Sequence, residues 1–459
     1  MSNPSAKSST PANETVLSRL RHFMTPFDAR FEDMRPGNKL QVIVRDTSAG
    51  LIVAMMAIPM AMGFAIASGL RPEHGILAGA IAGFVGALFG GSKYNVYGPV
   101  AALIPVIAGL MAKYATPTDP FAGHGFIVAI SVAAGALMML TGLVGWGKVG
   151  NLVPHSIVVG FSVGIAITIA LTQIGEIFGL SIPSSLSFVG KLRAIAEKIG
   201  DTNVWAIALG AMTFLVTRVL LKISIYIPAP LIAMGIGTVL AATVLGDSGL
   251  ALISTKYGAI PTDFLVVTPP KLPPLTNDVI FDLVFYAAAF AFVCGFEGIL
   301  AARMGDRLAD NKGTPYNPDK EFWGQGVVQV FATIMNGMPL SGALARTATN
   351  IKVGALTPLA GIMKGLLKLL LVFFLAKYLG MVPMACIGGI LLWVAVNMVK
   401  PKEIKEMWGH SRIDAFLMVY TAVMVVFVGF LAGVLSAFAI FLIVTRYLRG
   451  SISAAPSSH

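Results

Sequence analysis

The chain has 459 residues, 56% of them hydrophobic and only 12% charged, with a mean hydropathy of +0.80. Soluble proteins carry about 25% charged residues, so this composition excludes a soluble multidomain protein and indicates a polytopic membrane protein. The +11 net charge is spread over loops rather than gathered in one patch, which argues against a nucleic-acid partner and for basic loops on the inner side of a bilayer.

Residues 1–14, rich in Ser, Pro, Asn and Thr, are expected to be disordered. Residues 15–45 alternate basic and apolar positions, the pattern of a surface helix at the membrane edge. Apolar runs then follow at 47–69, 74–90, 97–112, 125–145, 154–178, 203–221, 229–246, 282–302, 322–336, 341–353, 356–378, 384–399, 413–429 and 431–447. These are about 14 segments, many too short to cross a hydrocarbon core of ~30 Å unaided. Taken as 47–246 and 282–447, they form two groups of seven, and the third of each group, 97–112 and 341–353, is short and led in by Gly and Pro. Interrupted segments at matching places in two halves predict an inverted repeat with a binding site between two broken helices. The expected fold is therefore an all-α membrane protein with a 7+7 inverted repeat in which segments 3 and 10 are half-helices.

The expected organisation is a cytoplasmic N-terminal tail (1–45), a first repeat (46–246), an extracytoplasmic loop (247–281), a second repeat (282–448) and a cytoplasmic C-terminal tail (449–459). With an even number of spans, 22 of the 33 Lys and Arg fall on the inner side, which places both termini in the cytoplasm and the protein in the inner (plasma) membrane. Residues 187–200 set Phe188, Leu192, Ile195 and Ile199 on one helical face, an interfacial helix, and TPPKLPPL within 247–281 reads as an extended strap. The two cysteines, Cys294 and Cys386, lie in apolar runs and make neither a disulfide framework nor a metal site, and the six histidines are scattered. There is no GxxxxGK[ST] loop and no nucleophile–base set in the apolar runs, so ATP-driven pumping and enzymatic activity are not expected. No cofactor or metal is called for.

Two stretches carry the candidate chemistry. In YNVYGPVAALIPVIAGL, Pro99 suits the first turn of a helix, and the half-helix is expected to start near Val100 with free N–H groups on Val100, Ala101 and Ala102. In GMPLSGALARTATNIKVG the same grammar recurs, with Pro339 leading into a helix that begins near Ser341, Gly342 and Ala343. Two such tips meeting at the midplane would bind an anion, because helix N-termini carry partial positive charge. Arg346, about one turn in, adds a full positive charge. Glu297, in AFVCGFEGILAARMGD, shares a helical face with Cys294 and Ala301 and is read as the coupling group, the alternative being a structural ion pair with Arg346. Lys364 and Lys368, one turn apart, are expected to snorkel to the inner interface.

These residues resemble the sulfate permease (SulP) family over about 45–450. DTSAGLIVAMMAIPMAMGFAIASGLRPEHGILAGAIAGFVGALFGGSKYNVYGPVAAL and GFEGILAARMGD look like members of it, and the order GQG, NGMP, ARTATN, TPLAGI is the most specific match. The resemblance implies a core of segments 1–4 and 8–11 moving against a gate of segments 5–7 and 12–14, elevator-fashion, with a small inorganic anion as substrate. It places the anion between Val100, Ala101, Ser341, Gly342, Ala343 and Arg346, matches the segment-8 carboxylate to Glu297, and adds the segment-1 walls Pro59, Met60 and Phe64. Family members usually carry a C-terminal STAS domain, whereas this sequence stops shortly after the last span. Sodium-coupled relatives use hydroxyl side chains where this chain has Ala301 and Leu344, so proton coupling, or uncoupled exchange, is expected over sodium. Sulfate and bicarbonate lead as substrates. A chloride-type exchanger or channel, a sodium-coupled bicarbonate symporter and a nucleobase symporter are the other readings, and Arg346 argues against the last. A homodimer is left open.

Overall fold

The computed structural model describes residues 16–34, 37–147, 154–183, 186–264 and 266–453. The predicted disordered segment 1–14, Lys148 and residues 454–459 lie outside them. Helices occupy every expected apolar run. They are α1 (Val16–Phe23), α2 (Lys39–Ala67), α3 (Pro72–Phe89), α4 (Ile104–Tyr114), α5 (His124–Val144), α6 (His155–Ile177), α7 (Phe188–Lys198), α8 (Val204–Ile223), α9 (Ala229–Thr243), α10 (Ile253–Tyr257), α11 (Asn277–Leu308), α12 (Pro318–Ile334), α13 (Leu344–Lys352), α14 (Leu359–Gly380), α15 (Met384–Met398), α16 (Pro401–His410), α17 (Arg412–Phe427) and α18 (Phe430–Ser453). Among the described residues, eight helical runs are long and apolar enough to cross a membrane.

Local chemistry sets the helix starts. Pro72 and Pro318 stand in the first turns of α3 and α12, where a missing N–H costs nothing. Asn317 caps α12 by accepting from Asp319 and Lys320, Thr276 caps α11 by accepting from Val279, and Asn203 caps α8. The helices pack as two groups. In one, α12 lies on α5 and α3, α14 on α2 and α3, and α11 on α5 and α13; in the other, α6 lies on α15 and α17, and α8 on α15 and α9. The groups meet where α2 touches α9 and α15, and where α6 touches a 3-10 turn at Ala101–Leu103.

The described chain contains one small sheet, β1 (Tyr97–Gly98) paired antiparallel with β2 (Ser341–Gly342), in the register Tyr97 to Gly342 and Gly98 to Ser341. It joins the lead-ins of the two interrupted segments. β1 docks on α3 through Gly86, whose missing side chain makes room for the Tyr97 ring: a Cβ there would lie 2.1 Å from a ring carbon.

Three expectations change. Lys364 and Lys368 do not snorkel; they are 2% and 0% exposed, between α14 and α3. On α7 the inward face is Lys191 and Ile195, while Leu192 and Ile199 are exposed, because the helix packs its Phe188–Ile195 side on Leu171 and Leu180. The run 15–45 is no lipid-edge helix throughout. Phe23 of α1 is buried against Trp323, α2 begins at Lys39, and the intervening strap ties itself to the core by charge. Arg30 donates to Leu88 O (2.9 Å), and Asp28 pairs with both Arg30 (2.8 Å) and Lys320 (2.7 Å).

Candidate functional site

The two tips are built differently from the plain helix starts expected from the sequence. Ser341 and Gly342 are in β2 rather than a first helical turn, and α13 starts at Leu344 with Ala343 as its cap. The Ala343 N–H is already spent on Val96 O (3.0 Å). The first intrahelical bond runs from Thr347 N–H to Ala343 O, so the N–H groups of Leu344, Ala345 and Arg346 precede it and point out of the helix end. On the other side α4 starts at Ile104, four residues after Val100, because the Ala101–Leu103 turn comes first. Its first bond is Leu103 N–H to Val100 O, which leaves Ala101 and Ala102 as the outward donors.

Arg346 ties the tips together. It is 7% exposed, and its Nη2 donates to Pro99 O at 2.5 Å. No ion pair joins it to Glu297 among the described residues, so the purely structural pair weighed above is not formed. Glu297 Oε2 is buried without a hydrogen-bond partner. Its side chain borders a cavity of about 10 Å³, room for one water, lined by Ile157 and Phe161 of α6, Phe292 and Phe296 of α11, and Val434 of α18. Glu297 therefore faces the seam between the two helix groups. Phe64, Val100 and Ala101 are buried in the same apolar cluster, with Met60 and Ala343 packed against it, and Pro59 is buried inside α2. The Ser341 hydroxyl is turned away from the tips and donates to Cys294 O (2.7 Å).

The side chains that hold the tips were not singled out from the sequence. Along α12, Glu321, Gln325 and Gln329 form an i, i+4, i+8 polar stripe, all 1% exposed or less. Glu321 accepts from Gly91 N–H (2.8 Å), Asn95 Nδ2 (2.6 Å) and Tyr97 OH (2.7 Å). Gln325 donates to Leu340 O (3.0 Å), and Gln329 accepts from Leu340 N–H (3.2 Å). One helix thus fixes both lead-ins. Thr347 closes the frame, donating to Asn95 Oδ1 (3.1 Å) and accepting from Val96 N–H (3.0 Å). The histidines, scattered in sequence, include a pair that meets: His74 and His124 lie 4.0 Å apart between ring centroids, tilted by 34°. Their ring N–H groups bond Asn336 O (2.7 Å) and Gly337 O (3.0 Å), just ahead of β2. The signal for the stripe was its helical spacing in an otherwise apolar run.

The lead-ins of two short helices, α4 and α13, are thus joined inside a multi-pass helical bundle, and the family this fold belongs to is one of membrane transporters, not enzymes. Residues 43–421 match the model of the sulfate permease family, and the chain belongs to that family. YvdB of Bacillus subtilis (strain 168), which carries a sulfate-transporter name, is 36% identical over 418 residues, covering 90% of this chain and 76% of that one. The bicarbonate transporter BicA of Picosynechococcus sp. is 27% identical over 392 residues, covering 85% and 68%. Among solved structures, the transmembrane domain of a cyanobacterial BicA superposes with a TM-score of 0.75 at 25% identity, over 86% of this chain and 97% of that one. The murine anion transporter Slc26a9 in its inward-facing state shares the fold, with a TM-score of 0.78 at 18% identity over 97% of this chain and 74% of that one.

Proposed function

We propose that this chain is a secondary active transporter of a small inorganic oxyanion, sulfate or bicarbonate, driven by protons through an elevator-like displacement of one helix group against the other. The observation that carries the reading is Arg346: a buried guanidinium that donates to the Pro99 carbonyl and forms no ion pair among the described residues, on the helix end joined to the other lead-in by the β1–β2 pairing. Such a point attracts an anion by charge and by oriented dipoles together. Ala101, Gly342 and Ala343 keep side-chain bulk small there, and Val100, Pro59, Met60 and Phe64 supply the apolar wall. Relatives named for sulfate and bicarbonate transport favour the same substrate class.

Glu297 is the proposed proton carrier. Its unpartnered oxygen at the seam between the groups would be covered and uncovered as they slide, which links proton exchange to access. A sodium ion wants several oxygen ligands, and Ala301 and Leu344 offer none. We place 1–45 and the C-terminal end on the cytoplasmic side of the plasma membrane, with repeats at 46–246 and 282–448. The test is reconstitution of the full chain with labelled sulfate and bicarbonate uptake under imposed proton or sodium gradients. Proton-driven uptake of one of these anions, abolished by Glu297→Gln, is expected. Uptake that stays proton-driven in that variant removes Glu297 from the coupling, and a sodium requirement overturns the proton assignment.

A further inference from the structure

The turn that launches β2 is held from three sides by groups that the anion site as described does not use. α12 ends at Ile334, and the chain reverses through Asn336, whose φ of 59° is a left-handed conformation that few side chains adopt. Gly337 follows, pressed on α3: a Cβ there would lie 2.3 Å from Ala332 O and 3.0 Å from Ala78 Cα. His74, one turn before Ala78 on α3, bonds Asn336 O through Nδ1 (2.7 Å). His124, the first residue of α5, bonds Gly337 O through Nε2 (3.0 Å). The third side is the strap TPPKLPPL. Thr268 N–H donates to Ile334 O (2.7 Å), the Thr268 hydroxyl donates to Asn336 Oδ1 (2.8 Å), and Lys271 N–H donates to Gly125 O (3.0 Å), beside His124.

Both histidines are buried. A carbonyl oxygen accepts and cannot donate, so these contacts assign the ring protons: His74 carries one on Nδ1, and His124 carries one on Nε2. Two consecutive carbonyls thus each receive one fixed donor, from two different helices. From Gly337 the chain passes Met338 and Pro339 to Leu340, which Gln325 and Gln329 hold from α12. Three residues span at most about 11 Å, and Pro339 fixes one φ among them, so the turn and β2 form one stiff piece. α3 also seats β1, through Gly86. The same helix therefore sets the height of both strands, one at Gly86 and the other, about 18 Å along its axis, at His74.

We propose that His74 and His124 are positioning residues of the anion site, each acting through one ring nitrogen to fix the lead-in of β2 and, with it, the helix end that carries Arg346. This rests on the site reading given above. Positioning of this kind depends on where the donor sits, whereas packing depends on the volume of the ring. Counted in bonds from the backbone, the Asn amide nitrogen stands where His Nδ1 does, and the Gln amide nitrogen where His Nε2 does. Asn therefore matches the donor of His74 and Gln that of His124, and exchanging the two amides misplaces the donor by one bond.

The experiment is equilibrium binding of labelled sulfate and bicarbonate to the purified full chain, for the wild type, His74→Asn, His74→Gln, His124→Gln and His124→Asn, with folding followed by circular dichroism. His74→Asn and His124→Gln are expected to stay within about threefold of the wild type. His74→Gln and His124→Asn, folded but with the donor displaced, are expected to lose about tenfold, which is about 1.4 kcal/mol and the order of a buried carbonyl left unpaired. Similar affinities for the two amides at either position, or failure of any of the four variants to fold, would assign the pair to packing or stability and overturn the proposal. Arg346→Ala, run alongside, separates this from the underlying site: retention of both affinities in that variant defeats the site reading itself, whatever the histidine variants do.

Discussion

Glu297, half-buried with its Oε2 out of solvent, and the fully buried Glu321 on the neighbouring helix should respond differently to substitution. Glu321 satisfies three buried donors at 2.6–2.8 Å, and Glu321→Ala leaves Gly91 N–H, Tyr97 OH and one of the two Asn95 Nδ2 hydrogens without an acceptor, the other still bonding Gly298 O. Each unpaired buried donor costs about 1–3 kcal/mol, and partial relaxation brings the three together to about 3–6 kcal/mol. The loss falls on the element that orders both tips, so stability and anion binding should fail together. Glu297 Oε2 accepts nothing, so Glu297→Gln should change stability by less than about 1 kcal/mol while abolishing proton-driven uptake. Denaturant titration in mixed micelles, under matched lipid and pH, measures both. A Glu297→Gln variant as unstable as Glu321→Ala would refute the division of labour between the two carboxylates.

Other outcomes follow from single contacts. Ser341→Ala should cost about 1 kcal/mol of stability and leave anion affinity within about threefold, because the hydroxyl is committed to Cys294 O; a larger affinity loss would return Ser341 to the substrate contacts. Gly86→Val should displace the Tyr97 ring, with an overpacking cost of about 1–3 kcal/mol and loss of anion binding in a ligand-dependent thermal shift. Asp28 is half-withdrawn from water, which pushes its carboxyl up, but Arg30 and Lys320 outweigh this and hold it below the usual value of 3.8. Its stabilising contribution is therefore complete above that value and is lost as pH falls through the lower folded one. Asp28→Asn should accordingly cost about 3 kcal/mol at neutral pH, leaving Lys320 buried and unpaired, and should flatten the acid limb of stability against pH.

The bundle was legible because membrane helices announce themselves by length and hydropathy: every apolar run holds a helix, though α2 starts eight residues before the run 47–69 and α4 seven residues into the run 97–112. The tips were legible only in outline. Gly and Pro told where the helices break, but the pairing of Tyr97–Gly98 with Ser341–Gly342 is a contact between residues more than two hundred positions apart, and local sequence does not encode it. That pairing is why Ser341 and Gly342 left the helix and why the Ala343 N–H is no longer free. Lys364 and Lys368 were misplaced for a related reason. Snorkelling is the rule for a lysine facing lipid, and only the room left by Gly79 and Gly83 on α3 turns this helix face inward. The stripe Glu321, Gln325 and Gln329 carried a readable period, yet its partners are backbone groups of the lead-ins, which no side-chain pattern reveals.

The most direct test of the account concerns Arg346. Equilibrium binding of labelled sulfate and bicarbonate to the purified full chain should show an anion held by the wild type and its affinity reduced by about 2–5 kcal/mol, some thirtyfold to several thousandfold, in Arg346→Ala, with the helical bundle intact by circular dichroism. An Arg346→Ala protein that binds the anion as tightly as the wild type would contradict the placement of the anion between the two tips.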